Sequence, residues 1–108
     1  MIRGLIKVAK YDKTDYLPWY ICTNAGIVLG YFRTKRLAER FATLVRQGGV
    51  NCYKYDPKGL YAGLIVSDNK VKDFIKPIVE CETPEQAEKF KTLFWDAQGE
   101  FILADFSI

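Results

Sequence analysis

The stretch from Thr34 to Leu44 aligns without a gap on Thr83 to Leu93, an offset of 49 residues in a chain of 108. Six of the eleven positions are identical: Thr34/Thr83, Ala38/Ala87, Glu39/Glu88, Phe41/Phe90, Thr43/Thr92 and Leu44/Leu93. A period of about half the chain constrains the fold more than any composition figure. It means two copies of one supersecondary unit, each too small to bury a core alone, sharing one interior. The reading is a single domain, residues 1–108, made of two pseudo-repeats at about 1–56 and 57–108.

Each copy reads as a hairpin, a helix and a strand. In the first, Tyr20 to Thr23 and Ile27 to Arg33 flank Asn24, Ala25 and Gly26, a turn whose Asn and Gly tolerate positive φ. From Lys35 to Gln47, Leu37, Ala38, Phe41, Leu44 and Val45 recur at helical spacing. Thr34 is the cap, Gly48 and Gly49 stop the helix, and Val50 to Tyr55 closes the unit. In the second copy, Gly63 to Ser67 and Val71 to Cys81 are the hairpin arms around Asp68, Asn69 and Lys70, with Pro77 marking an edge or bulge. Thr83, Pro84 and Gln86 form a capping box before the stripe Ala87, Phe90, Leu93, Phe94 and Ala97. Gly99 ends that helix and Phe101 to Phe106 is the last strand. Asp56, Pro57, Lys58 and Gly59 join the halves, and one more strand covers Leu5 to Tyr11. The predicted fold is α+β: two tandem ββαβ units forming one mainly antiparallel sheet with two helices packed on one face.

The run Val28, Leu29, Gly30, Tyr31 and Phe32, followed by Ala38, Leu44 and Gly49, is similar in pattern to one βαβ repeat of the SPOR family, which binds denuded peptidoglycan. The likeness covers about a third of the chain, the extra hairpin arms depart from that family's shorter layout, and no site residue is carried over from it.

The residues argue against catalysis. The chain has no histidine, which removes the commonest general base and metal ligand. Ser67 and Ser107 sit in no nucleophile elbow. Cys22, Cys52 and Cys81 lie far apart, on stretches that alternate like strands, and read as small buried hydrophobes with neither disulfide nor zinc spacing. Glu85 and Glu88 suit the positive end of a helix better than a carboxylate pair. No glycine-rich loop leads a strand into a helix with a Lys and Ser or Thr behind it, so nucleotide hydrolysis is disfavoured. The reading is no enzyme, no metal and no cofactor. With no apolar run near the roughly 18 residues a membrane helix needs and no export signal, it is also no membrane span and a cytoplasmic location.

Charge separates the copies. Residues 1–54 carry ten lysines and arginines against three acids, net +7, while residues 55–108 carry six against ten, net −4. Arg33, Lys35, Arg36, Arg40, Arg46 and Lys54 therefore form a candidate site for an anionic partner. Trp19, Tyr20, Tyr31, Tyr53 and Tyr55 lie on neighbouring strands, and rings beside cations suit nucleic acid if a sheet face is open. Trp95 falls about 130° from the apolar stripe of its helix and should point to solvent. Exposed tryptophan is favoured at protein interfaces. Trp95, Trp19, Tyr53 and Tyr55 are accordingly the candidate partner-binding residues. The functional reading is a small docking protein acting as an inhibitor, adaptor or regulator, of the kind common among phage and mobile-element products, with room for a homodimer. Its alternative is a nucleic-acid-binding module using the basic first copy.

Overall fold

A computed structural model describes residues 6–12, 16–53, 64–67, 69–73 and 78–108. In chain order these form β1 (Lys7–Lys10), β2 (Trp19–Cys22), β3 (Val28–Phe32), α1 (Lys35–Arg46), β4 (Val50–Tyr53), β5 (Leu64–Ser67), β6 (Lys70–Asp73), β7 (Ile78–Cys81), α2 (Pro84–Ala97), β8 (Phe101–Leu103) and β9 (Phe106–Ser107). The class is α+β, as the sequence predicts. No helix among the described residues is long and apolar enough to cross a membrane.

The two helices start alike because the same residue starts them. Thr34 is extended at φ −124° and ψ 155°, and its hydroxyl accepts the N–H of Leu37 at 3.2 Å. Thr83, at φ −130° and ψ 152°, accepts the N–H of Gln86 at 3.3 Å. One orphan donor of each first turn is thereby satisfied. The capping box forms only in half. Gln86 turns its side chain away from Thr83 and donates from Nε2 to the Gly48 carbonyl at 2.8 Å in the interior. Its position explains this, since Gln86 corresponds to buried Leu37 on the inward face of the first helix.

The pairing differs from a simple tandem. The strand after each helix does not close its own unit: β4 pairs with β7 of the second copy, and β8 pairs with β3 of the first. The exchange is reciprocal in register once the two extra residues of α2 are allowed for, which shifts the offset from 49 to 51 after the helices. Phe32, Tyr31 and Gly30 face Phe101, Ile102 and Leu103, while their equivalents Cys81, Glu80 and Val79 face Val50, Asn51 and Cys52. The strands therefore divide into a four-stranded sheet, β1-β2-β3-β8, and a five-stranded one, β5-β6-β7-β4-β9, in place of the single sheet the sequence predicts. All pairs are antiparallel. The division arises in the last segment, where β8 edges one sheet and β9 edges the other on either side of Ala104 and Asp105.

Other boundaries move as well. Val71 to Cys81 is two strands, β6 and β7, paired with each other, and Lys70 opens β6 rather than belonging to the preceding turn. Pro77, Asp68, and the joint from Asp56 to Gly59 lie outside the described residues.

Helix α1 packs on β1, β2 and β3, α2 packs on β5, β6 and β7, and the helices also meet each other. They run antiparallel, because Arg40 meets Asp96 at one end while Gln86 reaches Gly48 at the other. At their crossing, Phe41 touches its own equivalent Phe90, ring centroids 5.6 Å apart. Phe32 lies 5.2 Å from Phe41, Phe90 6.0 Å from Phe94, Phe94 4.8 Å from Phe101, and Phe101 6.4 Å from Phe32. Five rings thus form a closed circuit drawn from both copies. A single apolar cluster results, in which neither copy owns its core.

Candidate interaction surface

Alternation along the first sheet sends one set of side chains to α1 and the other outward. Ile21, Gly30 and Leu103 share an inward row, as do Trp19, Phe32 and Phe101. Gly30 has no room for a side chain, since a Cβ there would lie 2.9 Å from Leu103 Cδ2. The row between them points away from the helices and reads Ala9, Tyr20, Tyr31 and Ile102. Tyr20 and Tyr31 are in contact, centroids 6.3 Å apart with planes at 47°. Tyr31 keeps 40% of its surface exposed, Tyr11 49% and Ile102 50%. The face is concave, with a cavity of about 500 Å³ lined by Tyr11, Tyr20, Tyr31, Val28, Lys7 and the thiol-bearing Cys22.

The other copy supplies a comparison within the same molecule. Glu80, on the outer face of the second sheet, is the repeat equivalent of Tyr31, and the residues paired on either side of it, Lys70 and Asn51, occupy the ladder positions that Tyr20 and Ile102 occupy beside Tyr31. There each group is satisfied by a neighbour. Lys70 pairs with Glu80 at 3.1 Å, and Ser107 donates to Asn51. The Tyr53 hydroxyl bonds Glu80, so the Lys70 ammonium and this hydroxyl hold the Glu80 carboxyl below its usual range, while the same bond raises the tyrosine. Two rows built on matching positions thus differ in kind. The Lys70, Glu80 and Asn51 row is polar and closed on itself, with exposed Tyr53 bonded to it, and the row of the first sheet presents rings to solvent.

The sequence-predicted residues distribute unevenly over this geometry. Trp95 is 66% exposed on the solvent side of α2, as its helical phase predicts. Trp19 is half-buried, and the ammonium groups of Lys10 and Lys35 each stand 5.7 Å from its ring. Tyr53 is exposed but engaged with Glu80. Tyr55 and Lys54 lie outside the described residues. Among the cations, Arg46 donates through Nη2 and Nε to the Ile6 carbonyl at 2.6 and 3.2 Å. Arg40 pairs with Asp96 at 3.0 Å, and Lys35 with Glu39 at 3.7 Å. Arg33 and Arg36 are exposed at the start of α1, whose first turn carries no acid.

Rings and cations therefore do not form one surface. The tyrosine row looks out from one side of the first sheet, and α1 with its arginines covers the other. Among the described residues lining the tyrosine cavity, Lys7 is the one cation. The sequence reading missed Tyr11, Lys7 and Ile102. Their signal was present in the alternation of β1 and β8, but it becomes informative only once β8 is known to lie beside β3.

The three cysteines are free and buried. Burial, and secondarily the nearby Asp105 charge, pushes the Cys52 thiol up to about 12, and burial pushes Cys81 to about 11. Among the described residues, no group of three or more His, Cys, Asp or Glu could hold a metal ion. No family model matches the chain, and comparison with curated proteins and with solved structures finds no match. The likeness of the first copy to a SPOR repeat thus stands on pattern alone.

Proposed function

We propose that this protein is a non-enzymatic docking protein, an inhibitor, adaptor or regulator, that engages a partner protein through the outer face of its first sheet. The observation that carries this reading is the contrast between equivalent rows. Solvent-facing Tyr20, Tyr31 and Ile102 on one sheet stand where Lys70, Glu80 and Asn51 stand on the other. The fold tolerates the polar row, so the aromatic row is not required for folding. Contiguous exposed rings with a concave centre are what a partner's apolar side chains fill. A protein partner is favoured over nucleic acid because most of the cations sit on the helix side, several already paired, and so cannot neutralise phosphates of a strand stacked on the tyrosines.

The test transfers the second copy's residues onto the first. Tyr20→Lys with Tyr31→Glu gives the first sheet the polar pair its counterpart carries. Tagged wild type and variant are used to capture partners from the protein's own cell lysate, with and without nuclease, at low and moderate salt. The expected result is a nuclease-resistant protein partner that the double variant loses. At ~2 kcal/mol for a central ring this is a loss of about 30-fold. Capture that survives the double variant overturns the reading, and capture abolished by nuclease and by moderate salt replaces it with the nucleic-acid alternative.

A further inference from the structure

The tyrosine face runs out to a strand edge, and the chemistry of that edge specifies how a partner seats. β1 is the outermost strand of the first sheet, and among the described residues no strand pairs with its far side. The Tyr11 N–H donates to the Pro18 carbonyl at 2.7 Å, so by antiparallel alternation Lys7, Ala9 and Tyr11 turn their main-chain groups towards β2. Val8 and Lys10 turn theirs outward. Ile6 belongs to the outward set too, and its carbonyl is taken by Arg46 at 2.6 Å. Arg46 thus closes one end of the edge, and the donors and acceptors it leaves are those of Val8 and Lys10.

We infer that an extended segment of the partner protein adds to this edge as a further strand, with acid, large apolar residue, any residue and acid at four successive positions. The inference rests on the docking reading and states its mode. Side chains directly opposite each other on paired strands share a face, with Cβ atoms ~5 Å apart, so β1 dictates its neighbour residue by residue. Lys10 lies on the helix side, where its ammonium and that of Lys35 both stand 5.7 Å from the Trp19 ring, and the position beside it suits an acid. Ala9 lies on the tyrosine side, in one row with Tyr20 and Tyr31, and its short side chain lets a large apolar neighbour lean across it onto the rings. Val8 faces the helices and sets no charge. Lys7 is exposed at the tyrosine cavity and suits the second acid.

Charge selects the class of occupant. Lys7, Lys10, Lys35 and Arg46 surround the edge, and Asp12, the described acid nearest in sequence, lies past the end of the strand. Two copies meeting edge to edge would bring four lysines together with no acid on either strand, the arrangement by which open edges are kept from self-pairing. A nucleic-acid strand would match the cations but offers no ladder of N–H groups to the Val8 and Lys10 carbonyls. An acidic polypeptide strand satisfies both the charges and the main chain.

Full-length isotope-labelled protein is titrated with a short synthetic peptide centred on glutamate, leucine, valine and glutamate, and with its counterpart carrying lysine for glutamate, while amide hydrogen exchange is followed by NMR. The acidic peptide is expected to protect the Val8 and Lys10 amides, which exchange fast without it, whereas the Ala9 amide, bonded to β2, is slow throughout. Lys10→Pro removes an outward N–H at an edge position where proline is tolerated, and should abolish binding. Lys10→Gln keeps that N–H and should weaken binding by no more than about fivefold, the loss of one cross-strand charge pair. Binding that leaves Val8 and Lys10 unprotected overturns the inference, as do equal affinity for both peptides, binding of neither, or full affinity in Lys10→Pro. If Lys10→Pro fails to fold, the exchange pattern and the peptide pair decide alone. Partner capture lost in Tyr20→Lys with Tyr31→Glu but intact in Lys10→Pro refutes strand addition and leaves the docking role, and the reverse pattern refutes docking on the tyrosines and keeps the edge.

Discussion

Between α1, which ends at Arg46, and β4 the chain turns through Gly49, and Gly49→Ala is the substitution whose effect the structure fixes most closely. Gly49 has φ +68°, donates its N–H to the Ile108 carbonyl at 2.8 Å, and is approached by Glu82 of the other copy. An alanine Cβ would lie 2.5 Å from Glu82 Cγ and 2.6 Å from its Cδ. Gly99, past the end of α2, is a natural control. Its φ is +80°, and a Cβ there would meet nothing within 4 Å. Gly99→Ala therefore carries only the left-handed backbone cost, about 1 kcal/mol. Gly49→Ala adds the cost of pushing the Glu82 side chain off its preferred rotamer, about 1 kcal/mol more because Glu82 is exposed and can swing out. In a domain of this size these become Tm losses of about 4–8 °C and about 8–16 °C. Urea midpoints followed by tryptophan fluorescence would give both values. The decisive comparison is Gly49→Ala in a Glu82→Ala background, where the excess over Gly99→Ala should vanish as a coupling of ~1 kcal/mol. An excess that persists without the Glu82 side chain, or no excess at all, refutes the close approach.

Two further outcomes follow from buried groups. Gln86→Leu gives the second helix the residue the first has at Leu37, yet it should destabilise by about 1–3 kcal/mol, because the Gly48 carbonyl loses its interior donor; a neutral result by chemical denaturation would mean that carbonyl finds another partner. Burial raises the Cys52 and Cys81 thiols from the ordinary 9.0 to about 12 and about 11, so each contributes stability that is fully present below pH 9 and is lost as pH climbs towards those values. Thermal midpoints should accordingly fall between about pH 9 and 11 more steeply in the wild type than in Cys52→Ala, and an unchanged slope in that variant would exclude Cys52 as a source.

Much of this architecture was legible from local pattern, both hairpins included, and the pairing of the strands that follow the helices was not. Thr34 and Thr83, the apolar stripes at 3.6-residue period, and the glycine stops locate both helices to within a residue or two, because those signals act over a single turn. The exchange of β4 and β8 is a long-range event. A strand's own residues say that it alternates, while the choice of neighbour is made by which hydrophobic edge remains open after the hairpins form. The same limit governed the surface. Trp95 could be placed because helical phase is intrinsic to its helix. Trp19 could not, since its exposure depends on Lys10 and Lys35 arriving from β1 and α1. Arg46 looked like a free cation on the outer helix face and is tied to Ile6, forty residues earlier. Gln86 read as a cap by spacing and became a bridge, because spacing does not record which way a long side chain turns.

The exchange also bears on how the aromatic face came to exist. Ile102 completes the row that begins at Ala9, Tyr20 and Tyr31, but it belongs to the second copy, just as Asn51 of the first copy completes the polar row of the second sheet. A single unit could present neither row whole. Four of the six identical pairs of the repeat serve the interior and the caps, namely Ala38 and Ala87, Phe41 and Phe90, Leu44 and Leu93, Thr34 and Thr83, while Glu39/Glu88 and Thr43/Thr92 are exposed. Both outer rows lie on positions outside the apolar core, and each row is completed by a strand from the other half of the chain. A lesion at Ile102 should for that reason weaken partner capture as Tyr31 does, although sequence alone places it in the half of the chain that carries the opposite charge.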